Sequence, residues 1–355
     1  MNARRLRRLR ADAQLLYRRD SLSPEQVVEH MLAVQSQDRR GGKLALRARS
    51  KAFDAAVVEH ALCEDRSLVL TWLMRGTIHL VTPDDLPWLL ALTAPGRATD
   101  SLRRLRQEGV SEPQVAKGVE VIDRVLREEG PLPRAEIRLR LKERSIPADG
   151  QALVHLIAAS AYAGLSVVGP QQAGKPVHAS AADWLGRDVA KEMAEVDRYV
   201  ALSELVRRYL ASRAPATVAD ISYWSGLPQR DVRIGLEGAA AHVVDCGGGL
   251  IDLKRRTTGD PGPVPARLLH TWDDYMLSWK DRSFMLPDEH RRSVIWGGGM
   301  FASTATVDGV VRGGWSAPAS AQPFAVVVEP FEPLGKRAAT ELEREGSDLA
   351  RFEGR

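Results

Sequence analysis

Cysteine is almost missing from this chain. Cys63 and Cys246 are the only two in 355 residues, and their wide separation supports neither a disulfide framework nor a cysteine zinc site. Such usage fits a reducing cytoplasm. Long apolar runs are lacking too, so no segment approaches the length needed to cross a bilayer. The arginine-rich start MNARRLRRLR has no apolar stretch behind it, which argues against secretion. The 8 histidines show no HxxxH or HxH spacing, and no Gly-Lys-Ser/Thr follows Gly297-Gly298-Gly299, so neither a metal nor a phosphate loop is expected. No cofactor is therefore expected. The absence of a coiled-coil segment points to a monomer.

What is present describes a globular protein. Hydrophobic residues make up 44% and charged residues 27%, ordinary values for a folded chain, and the length suits two or three domains with cores of their own. A net charge of +4 and a pI near 9.1, with arginines in clusters, permit contact with phosphate. Many basic proteins nonetheless bind no DNA.

The most informative stretch is Val34-Gln35-Ser36-Gln37-Asp38. It follows SPEQVVEHMLAV, where Ser23 reads as an N-cap, Pro24 as the first helical residue and Gln26 as its capping-box partner, with Val27, Val28, Met31 and Leu32 on one stripe. On a helix Gln35 and Gln37 point apart; on an extended segment they share a side. The pair acts together only if the helix ends near Val34, a break that the following RRGG supports. Two neutral carboxamides on one side suit holding a water or a sugar rather than a metal. The plain alternative is a polar helix end at the surface.

Taken in order, a helix begins at Arg4, Arg5, Arg7, Arg8 and Arg10, with Leu6, Leu9, Ala13, Leu16 and Tyr17 as its apolar positions; its basic face is either solvated or laid on phosphate. After the glutamine helix comes a third, AFDAAVVEHALCE, then two β-like runs, Leu68 to Met74 and Thr77 to Val81, parted by Arg75-Gly76. Helices closed by a hairpin read as a winged helix. The order recurs in VAKGVEVIDRVLRE, RAEIRLRLKER and QALVHLIAASAYAG, with LSVVG and KPVHAS as wing. It recurs again in ALSELVRRYLASR, PATVADISYWSGL and QRDVRIGLEGAAA, with HVVDCGG and GLIDLKR. The linker TTGDPGPVP precedes a β-rich region, a small sheet or barrel, and a final helix carrying Leu342, Leu349 and Phe352.

The expected fold is mainly α with small β-sheets. Three tandem winged-helix units, 1–100, 101–190 and 191–258, precede a C-terminal β-rich, barrel-like region with a terminal helix, 259–355.

The chain resembles the HTH_42 superfamily of winged-helix DNA glycosylases, the AlkZ and YcaQ type, which excise alkylated purines and unhook interstrand crosslinks. The resemblance rests on VQSQD, similar to that family's Gln-Φ-Gln motif; on TWLMRGTIHLV, similar to its Arg-Gly-Thr-Leu-His-Leu hairpin; and on LLHTWDDYMLSWKDRS, similar to its LLPxFDEYLLGYxDR segment. These motifs cover roughly residues 10–330. Ser36 departs from the pattern, since the family carries a hydrophobic residue there. Glutamine rather than aspartate at position 37 places the chain nearer the AlkZ branch. The resemblance implies a monofunctional enzyme on double-stranded DNA carrying alkylated or crosslinked purines, in the cytoplasm and on the nucleoid while bound.

A purine alkylated at N7 or N3 is cationic and already a good leaving group, so a weak catalyst suffices. What remains is to stabilise an oxocarbenium-like sugar and to place water at C1′. Gln35 and Gln37 are the catalytic candidates, with Asp38 as electrostatic support. A base tied to both strands cannot flip freely, which favours an open channel between winged helices. Arg75, Thr77 and His79 in the hairpin, and Trp272, Asp273, Asp274, Lys280 and Arg282 downstream, are candidates for touching DNA or lining that channel. A plain wing, and an internal cluster of ion pairs and aromatics (Asp281 with Arg282 above all), are the respective alternatives. His30 reads as a helix-surface residue. A non-enzymatic winged-helix DNA-binding protein, such as a transcriptional regulator, is the competing function, because architecture alone does not separate the two.

Overall fold

Ser23 starts the glutamine helix as the sequence indicates. Its hydroxyl accepts the Gln26 N–H at 3.3 Å while its own N–H donates to the Gln26 side chain at 2.9 Å, a complete capping box for the helix Pro24–Met31. Val27, Val28 and Met31 are fully buried by it. The computed structural model describes every residue except 19–20, 255–258 and 319–323. The end of the expected third wing, Arg255, and the start of the linker, Thr257-Thr258, therefore lie outside the described residues.

The fold is mainly helical with small antiparallel sheets, as expected. The chain divides into two units, residues 1–59 with 202–355, and residues 60–201. In the second unit the strands run in the order Ile78–Val81, Val69–Trp72, Ser166–Gln172, Lys175–Ser180, Leu132–Pro133. The two hairpins read from sequence as separate wings thus share one sheet, joined where Leu70 faces Val168. The 22-residue helix Leu86–Gln107, with Pro95 inside it, has no counterpart in the sequence reading. Helices Glu112–Glu128, Arg134–Glu143 and Gln151–Tyr162 match the second expected set.

In the first unit the C-terminal strands form an open sheet rather than a barrel, ordered Arg267–Leu269, Thr304–Val307, Val310–Ser316, Val327–Pro330. Asp308 and Gly309, both with positive φ, make the tight turn between its central strands. The final helix Lys336–Phe352 buries Leu342, Leu349 and Phe352, as its spacing indicates. Its Glu345 accepts Arg18 at 3.0 Å, Arg47 at 3.0 Å and Arg267 at 3.2 Å, a buried knot of charge that locks the helix onto the unit.

The arginine-rich first helix, Ala3–Ala13, corrects the sequence readings of its basic face for Arg7, Arg8 and Arg10. Arg7 reaches Asp308 at 3.2 Å, Arg8 reaches Asp260 at 2.8 Å and Asp308 at 3.3 Å, and Arg10 reaches Asp220 at 3.3 Å. Arg10 also lies over the rings of Trp279 and Phe284. These three arginines therefore tie the helix down, and Arg4 and Arg5 alone among the five are exposed. Among the described residues no helix is long and apolar enough to cross a membrane.

Candidate active site

The helix ends at Met31 because Leu32 leaves the helical region, with φ 65 and ψ -49. The Ala33 N–H then donates back to the Met31 carbonyl at 2.8 Å, closing a γ-turn of the rare positive-φ form, which is strained for leucine. Fully buried Arg213 holds this turn. One of its nitrogens donates to the Met31 carbonyl at 2.8 Å, the other to the Ala33 carbonyl at 3.2 Å and to Asp274 Oδ1 at 3.0 Å. Asp274 Oδ2 in turn accepts the Gln35 backbone N–H at 3.2 Å. The chain leaving the helix is thereby pinned as the short extended segment Val34–Gln35.

Strand geometry ends at Gln35, and the side chains that follow enter different surroundings. Gln35 is 7% exposed and Ser36 is 4% exposed, whereas Gln37 is exposed. The Ser36 hydroxyl donates to the Val34 carbonyl at 3.2 Å and lies against Gly42, where a Cβ would stand 2.2 Å from Ser36 Oγ and 2.8 Å from its Cβ. A small polar residue in place of the family's hydrophobic one is accommodated by its own backbone bond and by the bare glycine beneath it. The RRGG stretch is thus no helix breaker: it opens the helix Arg39–Arg47, and its glycines permit a close approach. A Cβ on Gly41 would meet His270 Nδ1 at 2.6 Å.

Asp38 is the N-cap of this helix. Its Oδ1 accepts the Gly41 N–H at 2.8 Å, and its Oδ2 is 3.9 Å from His270 Nδ1. The His270 N–H donates to the Thr271 carbonyl at 3.1 Å, and the ring packs edge-on to Trp315. Burial pushes the His270 imidazole below its ordinary value, against the pull of Asp38.

The HTWDDYMLSWKDRS segment supports the motif from beneath. Asp273 is 2% and Asp274 1% exposed, so neither lines a DNA-facing surface, a correction to their reading as channel residues. Arg49 grips Asp273 with both terminal nitrogens, at 3.0 and 2.9 Å, and takes Gln14 Oε1 at 2.7 Å. Arg282 is likewise turned inward, donating to the Met276 carbonyl at 2.6 Å and the Tyr223 hydroxyl at 2.6 Å. The expected Asp281–Arg282 pair does not form, and Asp281 instead accepts from Ser283 at 2.9 Å. Asp273 and Asp274 face the interior because their partners Arg49 and Arg213 are themselves buried. Two candidates stay near solvent: Lys280 is exposed, and Trp272 is half-buried with its ring N–H on the Gly299 carbonyl at 3.0 Å.

In the second unit the hairpin turns at Met74–Gly76, with Arg75 at φ 56. Arg75 and Thr77 are half-buried, and the Thr77 hydroxyl donates to the Met74 carbonyl at 3.2 Å. His79 is 1% exposed, with Nδ1 3.1 Å from the Thr77 carbonyl, so it is not the surface residue its reading as a DNA contact requires. His30, read as a helix-surface residue, places Nε2 2.7 Å from the Ala13 carbonyl and ties two helices together.

Gln14, Arg49, Arg213, His270 and the two glycines are the residues that sequence reasoning misses. Arg213 gave one signal, a lone arginine closing an otherwise apolar helix face; the others act through partners remote in sequence.

The arrangement presents a buried carboxamide, Gln35, at the end of the short extended segment and an exposed one, Gln37, in the bend that follows, while the neighbouring acids are engaged elsewhere. Such a site can orient a water without ionising. The chain matches the family described as DNA glycosylase AlkZ-like over residues 28–352. It is 28% identical over 365 aligned positions to an interstrand DNA cross-link repair glycosylase of Streptomyces sahachiroi, covering 97% of this chain and 95% of that one. The fold superposes on the solved structure of the Streptomyces sahachiroi DNA glycosylase AlkZ with a TM-score of 0.83 at 24% identity, over 100% of this chain and 97% of that one. With the family matched over residues 28–352, this chain belongs to the AlkZ-like DNA glycosylases.

Proposed function

We propose that this DNA glycosylase hydrolyses the N-glycosidic bond of purines alkylated at N7 or N3, including those tied into interstrand crosslinks, and leaves an abasic site. The observation that carries the reading is the bend after the extended segment Val34–Gln35, where Gln37 faces solvent while Ser36 turns onto Gly42. The cationic base departs with the electron pair of its C1′–N9 bond and becomes neutral. Water forms the new C1′–O bond and loses a proton to solvent. Gln37 orients that water through its carboxamide oxygen, and Gln35, less exposed, supports the sugar with its own. Asp38 supplies a negative charge beside the site while capping its helix.

The wider reading keeps three winged helices, 1–100, 101–190 and 191–258, followed by the region 259–355. Three successions of helices closed by a hairpin support it: the hairpins at Val69–Val81, Ser166–Ser180 and Val243–Leu253. The enzyme works as a monomer in the cytoplasm, with Arg75, Thr77, Trp272 and Lys280 the remaining candidates for DNA contact. A gel assay decides the substrate. Duplexes carrying an N7-alkylguanine or an N7–N7 crosslink are incubated with enzyme and heated in alkali; scission at the adduct and resolution of the crosslink support the reading. Intact crosslinks beside cleaved monoadducts would restrict it to simple lesions.

A further inference from the structure

Arg134 has no acidic partner among the described residues. It opens the helix Arg134–Glu143, whose N-cap Pro133 offers no side-chain acceptor, so its guanidinium stands where the helix dipole disfavours a cation. The side chain is half-buried, and burial pulls it below its ordinary value with no acid opposing the shift. The first-turn acid Glu136 faces Arg140 instead. What holds Arg134 is neutral: its Nε donates to His178 Nε2 at 3.5 Å, and its guanidinium carbon lies 5.6 Å from the centre of the Trp72 ring. The Trp72 and His178 rings pack together at 5.7 Å. His178 is 1% exposed, and its Nδ1 has no hydrogen-bond partner among the described residues.

A half-buried guanidinium at the N-terminal end of a helix is disfavoured there by the helix dipole and is held by two neutral rings. Its fork is oriented by the brace while its terminal nitrogens have no acidic partner among the described residues, which is the arrangement that receives a phosphate. We propose that Arg134, braced by Trp72 and His178, binds a backbone phosphate of the DNA. Backbone phosphate and free phosphate share this chemistry, and DNA is chosen because the family acts on it. The assignment rests on that substrate and not on the glutamine mechanism.

The test uses undamaged duplex, so it can fail while base release survives. Dissociation constants for the full-length protein and for Arg134→Met are measured across a sodium chloride series, with melting temperatures alongside. A phosphate contact makes the log–log slope shallower by about 0.9 in the variant. It also leaves the melting temperature unchanged or higher, because the uncompensated charge is gone, and Arg134→Lys, keeping the charge, retains most of the slope. An unchanged slope with a lowered melting temperature would make Arg134 a structural residue and overturn the proposal. Inorganic phosphate raising the melting temperature of the parent but not of Arg134→Met, with the slope unchanged, would make this a free-anion site and overturn the DNA assignment.

Discussion

Asp274 accepts the Gln35 backbone N–H on one carboxylate oxygen, at 3.2 Å, and the Arg213 guanidinium on the other, at 3.0 Å. One buried acid thus sets both the exit from the glutamine helix and the start of the extended segment. Asp274→Ala leaves Arg213 buried and unpaired, a loss of about 3–5 kcal/mol, seen as a large drop in melting temperature. Asp274→Asn keeps an acceptor and loses less. Equal melting temperatures for Asp274→Ala and the parent would show that the pair does not hold the segment.

Gly42 and Ser36 are coupled by contact. In Gly42→Ala the new Cβ would stand 2.2 Å from Ser36 Oγ, so the segment must move, and an ångström of displacement at a positioned water costs roughly 100-fold in rate. Ser36→Gly in the same chain removes both atoms it strikes and restores much of the loss. The double-mutant cycle of base-release rates reads the coupling directly; additive effects would contradict the packing described.

His178 sets an acid limit on stability. Burial pushes its imidazole down to about 3, with the nearby Arg134 adding to the shift. The folded state therefore holds the ring neutral while the unfolded chain takes up a proton below about 6.5. The ring's contribution is fully present above pH 6.5 and is lost as pH falls toward 3. His178→Phe keeps a ring on Trp72 and removes the proton site. Urea melts between pH 4 and 7 should show parent stability falling more steeply with acid than that of the variant; parallel curves would remove His178 from the acid limb.

Local signals were readable in the chain, and long-range ones were not. Ser23, Pro24 and Gln26 announce their helix because a capping box acts within four residues, and Leu342, Leu349 and Phe352 announce theirs by period. The RRGG stretch misleads because glycine has two uses: here Gly41 and Gly42 sit inside a helix so that His270 and Ser36 can approach. The arginines of the first helix look like a nucleic-acid face because Asp220, Asp260 and Asp308 lie more than 200 residues away. Asp273 and Asp274 look like channel acids for the same reason, since nothing near them in sequence shows that Arg49 and Arg213 will enclose them. Architecture by itself also left a transcriptional regulator open; membership of the glycosylase family closes that reading.

In the proposed mechanism Gln37 orients the attacking water for a cationic leaving base. Single-turnover release of 7-methylguanine from methylated duplex by the parent, Gln35→Ala and Gln37→Ala tests it most directly. Gln37 is exposed, so its truncation should leave the melting temperature within a degree or so of the parent while the rate falls by about 100-fold or more. Normal guanine should not be released on the same timescale. A Gln37→Ala enzyme as fast as the parent, or a parent that frees guanine as quickly as 7-methylguanine, would contradict the account.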